Sequence, residues 1–288
     1  MTKILITGAT GNVGIEVIKS LHLLDHQLDI SAGVRDLVRD KEKLANYRIT
    51  LVHFDFTDIN SYEPALVNCD ILFLLRPPQI ADVDKYFKPL IEMASLKRVK
   101  HVVFLSVQGV ENSKIIPHHK IEKLIVESKI PFTFLRPAYF MQNFTTILRN
   151  DLVNKSLIFL PAGQAKFTLI DVRDIGRVAA NILLDIAPNI NQSYDLTSDE
   201  KLTFGEMAVM LSDGLGRKIQ FKSPNLASFY LQKRKEKIPS MFILVMIMLH
   251  YFPRFQKEPV TADSIEKITG SPAISFVQFI RENKKMMK

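Results

Sequence analysis

Residues 6–17 read ITGATGNVGIEV. The apolar stretch KILITG (3–8) runs into Gly8, Gly11 and Gly14, spaced three apart. Apolar residues then recur at helical spacing: Val13, Val17, Ile18, Leu21 and Leu24. The pattern is a buried strand, a tight turn and an amphipathic helix. In that setting the glycines have separate tasks. One turns the chain out of the strand, one lets backbone approach a pyrophosphate, and one lets helix and strand pack closely. The helix N-terminus adds free N–H groups and a partial positive charge. The stretch predicts a dinucleotide site at the first turn of an α/β fold.

The chain beyond it keeps the same rhythm. Strands are expected at DISAGV (29–34), TLVHFD (50–55), CDILFLL (69–75), HVVFLS (101–106) and IPFTFLRP (130–137). Helical segments separate them, at Lys41–Ala45, Ser61–Val67 and Asp82–Lys97. Near-continuous apolar strands alternating with helices imply a parallel sheet covered on both faces, a doubly wound Rossmann-like fold. After Arg136 the rhythm loosens. A strand pair is expected within LIFLPAGQAKFTLID (157–171), a helix over Val172–Ile186, a strand at SYDLTS (193–198), a helix over Phe204–Leu215 and a strand at KIQFKS (218–223). The rest reads as mostly helical. The expected division is a dinucleotide-binding domain over 1–150 and a smaller, mostly helical lobe over 151–288, packed on it with chain segments shared and one long cleft in common.

Composition narrows the function classes. The formal net charge is +8, but the cations are scattered apart from QKRKEK (232–237) and ENKKMMK (283–288), and no nucleic-acid-binding motif accompanies them. That argues against nucleic acid and suits an anionic cofactor. The lone cysteine, Cys69, sits in an apolar run and reads as a small buried residue; no disulfide and no metal site follow from it. The strand pattern begins at Lys3 without a secretory leader. The longest apolar run, MFILVMIML (241–249), is about half of the roughly 20 residues a spanning helix needs. A cytoplasmic location without a membrane span is expected.

The end of the second strand selects the cofactor. An acidic residue there would take ribose hydroxyls and repel a 2′-phosphate. Here GVRD places Arg35 at the strand end, offering a phosphate-binding fork. NADP(H) is therefore favoured, while the adjacent Asp36 leaves NAD(H) open.

These segments, TGATGNVG, GVRD, DFTD (55–58), SKIPFTFLRPAYFMQNF (128–144), FTLIDVRDIGRVAANIL (167–183), YDLTSDEKLTFGEMA (194–208), LGRKIQF (215–221) and ITGSPAISFVQFI (268–280), resemble the NmrA-like group of atypical short-chain dehydrogenases/reductases over nearly the whole chain. That group includes NADPH-dependent quinone reductases, triphenylmethane-dye reductases, relatives of the isoflavone reductases and cofactor-binding regulators. The resemblance implies that Gly8 and Gly14 shape the turn and that Thr10, Gly11, Asn12 and Val13 line the pyrophosphate. It puts Arg35 on the 2′-phosphate, Asp55 and Phe56 beside adenine, and Leu75, Arg76 and Pro77 toward the ribose. Ser106 and Val107 would lie near the nicotinamide ribose, and Pro137, Ala138, Tyr139 and Phe140 would face the nicotinamide. Asn143 belongs to the same match without an assigned chemical role. Asp171 and Asp174 read as structural, capping and pairing at a helix start.

The Tyr-x-x-x-Lys pair of ordinary superfamily members is missing: none of the seven tyrosines has a lysine four residues on. Carbonyl reduction through a lysine-assisted tyrosine and sugar-nucleotide epimerisation are thereby disfavoured. In isoflavone-reductase-like relatives a helix-start lysine acts instead. In IPHHKIEKLI (116–125) His118 matches that lysine and Lys120 follows two residues later. His118 or His119 is expected either to donate a proton near neutral pH or to be a surface histidine at a helix start. Tyr139, Phe140 and Met141 are candidates for an apolar wall. The Met/Phe segment 239–252 is either core packing or a lid over that wall. Two functions stay open: an NADPH-dependent oxidoreductase passing hydride to a quinone or similar flat conjugated acceptor, and an NADP(H)-binding redox sensor acting on a protein partner without turnover. The first implies a small apolar or aromatic substrate. Oligomeric state is not legible.

Overall fold

The computed structural model describes residues 1–288. Along the chain come β1 (Lys3–Ile6), α1 (Asn12–His22), β2 (Asp29–Val34), α2 (Lys41–Leu44), β3 (Thr50–His53), α3 (Tyr62–Ala65), β4 (Ile71–Leu75), α4 (Val83–Leu96), β5 (His101–Leu105), α5 (Pro117–Glu127) and β6 (Phe132–Pro137). Then follow β7 (Tyr139–Phe140), α6 (Arg149–Lys155), β8 (Leu157–Phe159), β9 (Lys166–Ile170), α7 (Val172–Leu184), β10 (Gln192–Leu196), β11 (Lys201–Thr203), α8 (Phe204–Leu215), β12 (Gln220–Lys222), α9 (Leu226–Lys235), α10 (Ser240–Tyr251), α11 (Ser264–Thr269) and α12 (Phe276–Asn283). The elements fall into two compact units. Met1–Pro137, Val172–Leu196 and Ser264–Pro272 form the first; Ala138–Asp171, Thr197–Asp263 and Ala273–Lys288 form the second.

The first unit is the doubly wound α/β fold expected from the alternating pattern. Its seven strands run in the order β10-β6-β5-β4-β1-β2-β3, all in parallel pairs. Leu5, Leu72, Leu74, Val102 and Phe104 point to one face and pack with Phe87, Leu90 and Ile91 of α4 and Ile121 and Ile125 of α5. By strand alternation Ile4, Ile6, Phe73 and Val103, all fully buried, belong to the other face. Each such apolar side chain contributes roughly 1.5–3 kcal/mol by leaving water. The strand order reverses between β1 and β4. Their carboxyl ends diverge there into the crevice where α/β sheets take ligands. The strand expected at 193–198 forms as β10, on the edge beside β6.

The second unit holds two small sheets. β9 lies between β7 and β11, and β8 pairs with β12. The strand pair expected within 157–171 therefore does not form. Both edges of β9 are taken, by Tyr139–Phe140 and by Lys201–Thr203, so β8 finds its partner in Gln220–Lys222. Phe144, Phe204, Phe229, Phe276 and Phe279 are fully buried in this unit's core. Lys233, from the basic run QKRKEK, is buried rather than presented to a partner: its Nζ lies 2.5 Å from Asp151 and 2.8 Å from Glu236. The C-terminal part is helical, as expected, and no helix is long and apolar enough to cross a membrane.

Candidate functional site

The glycine turn sits at the carboxyl end of β1. Gly8 has φ +60°, the left-handed region that a side chain disfavours, and its carbonyl accepts from the Gly11 N–H at 2.9 Å. A Cβ at Gly14 would lie 2.2 Å from the Gly8 carbonyl oxygen, so only glycine lets α1 seat this close to the turn. No side chain caps α1, and Ile15 is the first residue whose N–H finds a carbonyl, that of Gly11. The N–H groups of Asn12, Val13 and Gly14 are left at the helix end, beside exposed Gly11 and half-buried Thr10. Val13 turns its side chain into the core, leaving only its backbone for a ligand. A dinucleotide pyrophosphate fits this cradle: the N–H donors are unspent, and the surface at Gly11 lacks the side chain that would fill it.

Thr7, one residue before the first glycine, fixes the crevice. Its hydroxyl donates to the Phe73 carbonyl at 3.1 Å and accepts from the Leu75 N–H at 2.9 Å, tying the ends of β1 and β4 together. Leu75 in turn lies against Gly8, its Cδ2 3.2 Å from the position of an added Cβ.

Arg35 follows β2 directly and is exposed, while Asp36 is committed locally: its Oδ1 accepts from the backbone N–H of Val38 at 3.0 Å and of Arg39 at 2.9 Å. The ambiguity of Arg35 beside Asp36 is thus reduced by an Asx-type turn that draws the carboxylate onto its own chain. After β3, Asp55 accepts from the Thr57 N–H and hydroxyl, both at 2.8 Å. The Phe56 ring is buried against Phe54 and Phe87, so only the backbone of Phe56 is left for an adenine.

At the end of β4 the Arg76 guanidinium is spent on its own loop. Nη1 donates to the carbonyls of Pro77, Pro78 and Ile80, at 3.1, 3.3 and 2.8 Å, and Nε donates to His118 Nε2 at 3.3 Å. Pro77 is half-buried in that loop. His118 is in the first turn of α5, after Pro117, with its ring on Phe104. Desolvation first, and the neighbouring Arg76 cation second, push its pKa down to about 3. The expectation of a proton donor near neutral pH is corrected accordingly: His118 is neutral there, with its Nε2 an acceptor. Lys120 does not join it. It is exposed, about 200° further round the helix. His119 Nδ1 faces the Val110 carbonyl at 3.3 Å.

The ends of β5 and β6 carry a polar group of their own. The Ser106 hydroxyl is buried without a hydrogen-bond partner, and Val107 is half-buried beside it. Arg136 pairs in a fork with Glu122, at 3.0 and 2.8 Å, and lies 3.6 Å from Glu111. Burial raises the Asp195 pKa, against the pull of a hydrogen bond from Gln108. Pro137 closes this stretch, buried, with its carbonyl accepting from the Gln108 N–H at 3.0 Å.

In the second unit Ala138 is buried and Tyr139 and Phe140 are half-buried on β7. The Tyr139 phenol lies 3.1 Å from His250 Nε2. His250 Nδ1 is 2.6 Å from the Met246 carbonyl, which can only accept; Nδ1 therefore carries the proton, and the phenol donates to Nε2. Desolvation pushes His250 down to about 4, and burial pushes the Tyr139 phenol up against a lowering hydrogen bond to Asn143. Phe167 and Phe204 pack edge-on around the Tyr139 ring. Asp171 is buried and accepts from Gln142 at 2.8 Å, and buried Asp174 pairs with Arg177. Thr7 and His250 are the residues that sequence reading misses. The first shows there only as a polar residue before a glycine, the second only as a histidine ending an apolar run.

The family model described as the NmrA-like family matches residues 1–271. Prestalk A differentiation protein A of Dictyostelium discoideum is 29% identical over 281 residues, covering 97% of this chain and 91% of that protein. The NAD(P)H azoreductase of Xenophilus azovorans is 27% identical, covering 96% of each. The structure of an NADPH-dependent quinone oxidoreductase from Escherichia coli, complexed with NADPH, superposes with a TM-score of 0.85 at 21% identity, over 97% of this chain and 99% of that one. With its glycine turn, sheet order and match across 271 of 288 residues, the chain belongs to the NmrA-like family.

Proposed function

We propose that the chain is an oxidoreductase that binds NADPH in preference to NADH and passes hydride to a quinone or a similar flat, conjugated acceptor. The observation that carries this is the uncapped N-terminus of α1 at the glycine turn, with Arg35 exposed after β2 and the Asp36 carboxylate drawn onto its own backbone. In this reading Thr10, Gly11, Asn12 and Val13 offer backbone to the pyrophosphate, Gly8 and Gly14 hold the turn, and Arg35 takes the 2′-phosphate. Asp55 and the backbone of Phe56 border adenine. Leu75, Arg76 and Pro77 shape the ribose side, Arg76 by holding its loop closed. The unpaired Ser106 hydroxyl, with Val107, is offered to the nicotinamide ribose. Pro137, Ala138 and Tyr139 would border the nicotinamide.

The bound cofactor supplies the hydride itself. The chain's own groups are poor proton donors: His118 is neutral at physiological pH and the Tyr139 proton is held by His250. That suits a conjugated acceptor, whose protons arrive from solvent, better than a ketone. The azoreductase and quinone reductase names among the relatives fit the same acceptor class. The same shortage of donors favours, as a second reading, a redox sensor working through a protein partner, in keeping with a relative named for differentiation.

Calorimetric titration of the purified protein with NADPH and NADH, beside a Gly11→Val variant, tests the cofactor half. A Cβ at Gly11 would sit 3.2 Å from the Gly8 oxygen, a contact the turn accommodates, so the variant should fold and bind neither cofactor. Undiminished NADPH binding by Gly11→Val would overturn the assignment of the turn.

A further inference from the structure

α10 and the turn after it carry more apolar surface than the core of the second unit uses. Ile243, Met246 and His250 point inward and are buried. Met241, Leu244, Met248, Phe252 and Phe255 follow one another at spacings of three or four residues and share the outer face. They are exposed, Met241 at 73% and Phe255 at 69%. No polar residue interrupts positions 241–249.

The charges at the two ends of this stripe have one sign. Arg234, Lys235 and Lys237 precede it and Arg254 and Lys257 follow it, all exposed. The only acids between 231 and 260 are both consumed: Glu236 pairs with Lys155 and Lys233, and Glu258 with Lys166. Arg254 lies over the Tyr251 ring, 5.0 Å from its centroid, which keeps that cation beside the apolar face. α10 is twelve residues, about 18 Å, too short to cross a bilayer. An apolar stripe with cations at both ends is the arrangement of a helix that lies in the plane of a membrane interface.

We propose that this face docks on the headgroup region of an anionic phospholipid bilayer, with the stripe entering the acyl boundary and the five cations meeting lipid phosphates. A second copy of the chain fits less well. In a two-fold contact, parallel or antiparallel, the stripe would bring cationic end against cationic end. An anionic surface neutralises both ends at once. The inference stands apart from the cofactor reading, since none of these residues takes part in it.

Flotation of the full chain with vesicles of phosphatidylcholine alone, and of phosphatidylcholine mixed with phosphatidylglycerol, tests it. The protein should float with the mixed vesicles and stay behind with the neutral ones, and added salt should weaken the association. Met248→Glu with Phe252→Glu should lower the bound fraction about tenfold or more. Lys235→Glu, which leaves the stripe intact, should weaken binding about fivefold. Failure of the unaltered protein to float would overturn the proposal, as would equal binding to neutral vesicles or wild-type binding by Met248→Glu with Phe252→Glu. A concentration-dependent dimer that the same double variant converts to monomer, seen by sedimentation, would also overturn it and make the face a contact between copies.

Discussion

Arg35 is the residue on which the proposed cofactor preference turns. Its guanidinium is exposed, and its acidic neighbour Asp36 is engaged by the backbone of Val38 and Arg39. A charge-assisted contact to a 2′-phosphate is worth roughly 1.5–3 kcal/mol, so Arg35→Ala should weaken NADPH by about ten- to a hundredfold and leave NADH nearly unchanged. Paired titrations decide it; equal losses for both cofactors would remove the assignment. Arg35 and the three glycines were legible in the sequence because their roles rest on local order, a strand end and the turn after it. Thr7, Arg76 and His250 were not legible in those roles. The Arg76–His118 contact joins residues 42 apart and the Tyr139–His250 contact joins residues 111 apart, and no local pattern announces either.

At the scale of elements, β7 and α10 are fastened by the hydrogen bond from Tyr139 to His250. Tyr139→Phe keeps the ring among Phe167 and Phe204 but leaves a buried imidazole nitrogen unpaired. Its cost should be about 1–3 kcal/mol, read as a lower urea midpoint. Turnover with a conjugated acceptor should stay within a few-fold of wild type, because the phenol proton serves His250. A large loss of turnover at unchanged stability would instead make Tyr139 a proton donor. The strands and helices of the first unit were readable because burial on both faces leaves unbroken apolar runs, as in β4 and β5. The pairing of β8 was not: β9 offers it no free edge, and that depends on β7 and β11, which lie outside the stretch being read. Nor could periodicity tell which face of α10 is buried, since nearly every residue of it is apolar.

For the molecule as a whole, three neutral histidines tie stability to pH. His101, His118 and His250 are held at about 4, 3 and 4, each by desolvation first. In the unfolded chain they titrate near 6.5, so between those values the unfolded state binds more protons than the folded one. Stability is therefore kept above about pH 6.5 and lost as pH falls toward 4, with a slope approaching 1.4 kcal/mol per pH unit for each histidine. Urea unfolding at stepped pH should show the decline, and His101→Gln should flatten it; a flat profile over that range would mean that the histidines are charged in the fold. The most direct test of the central claim is the rate of NADPH oxidation by the purified protein with a soluble quinone, an azo dye or no acceptor, with NADH run alongside. The account predicts acceptor-dependent oxidation that is faster with NADPH. Tight NADPH binding with no acceptor-dependent oxidation by quinone or dye would contradict it.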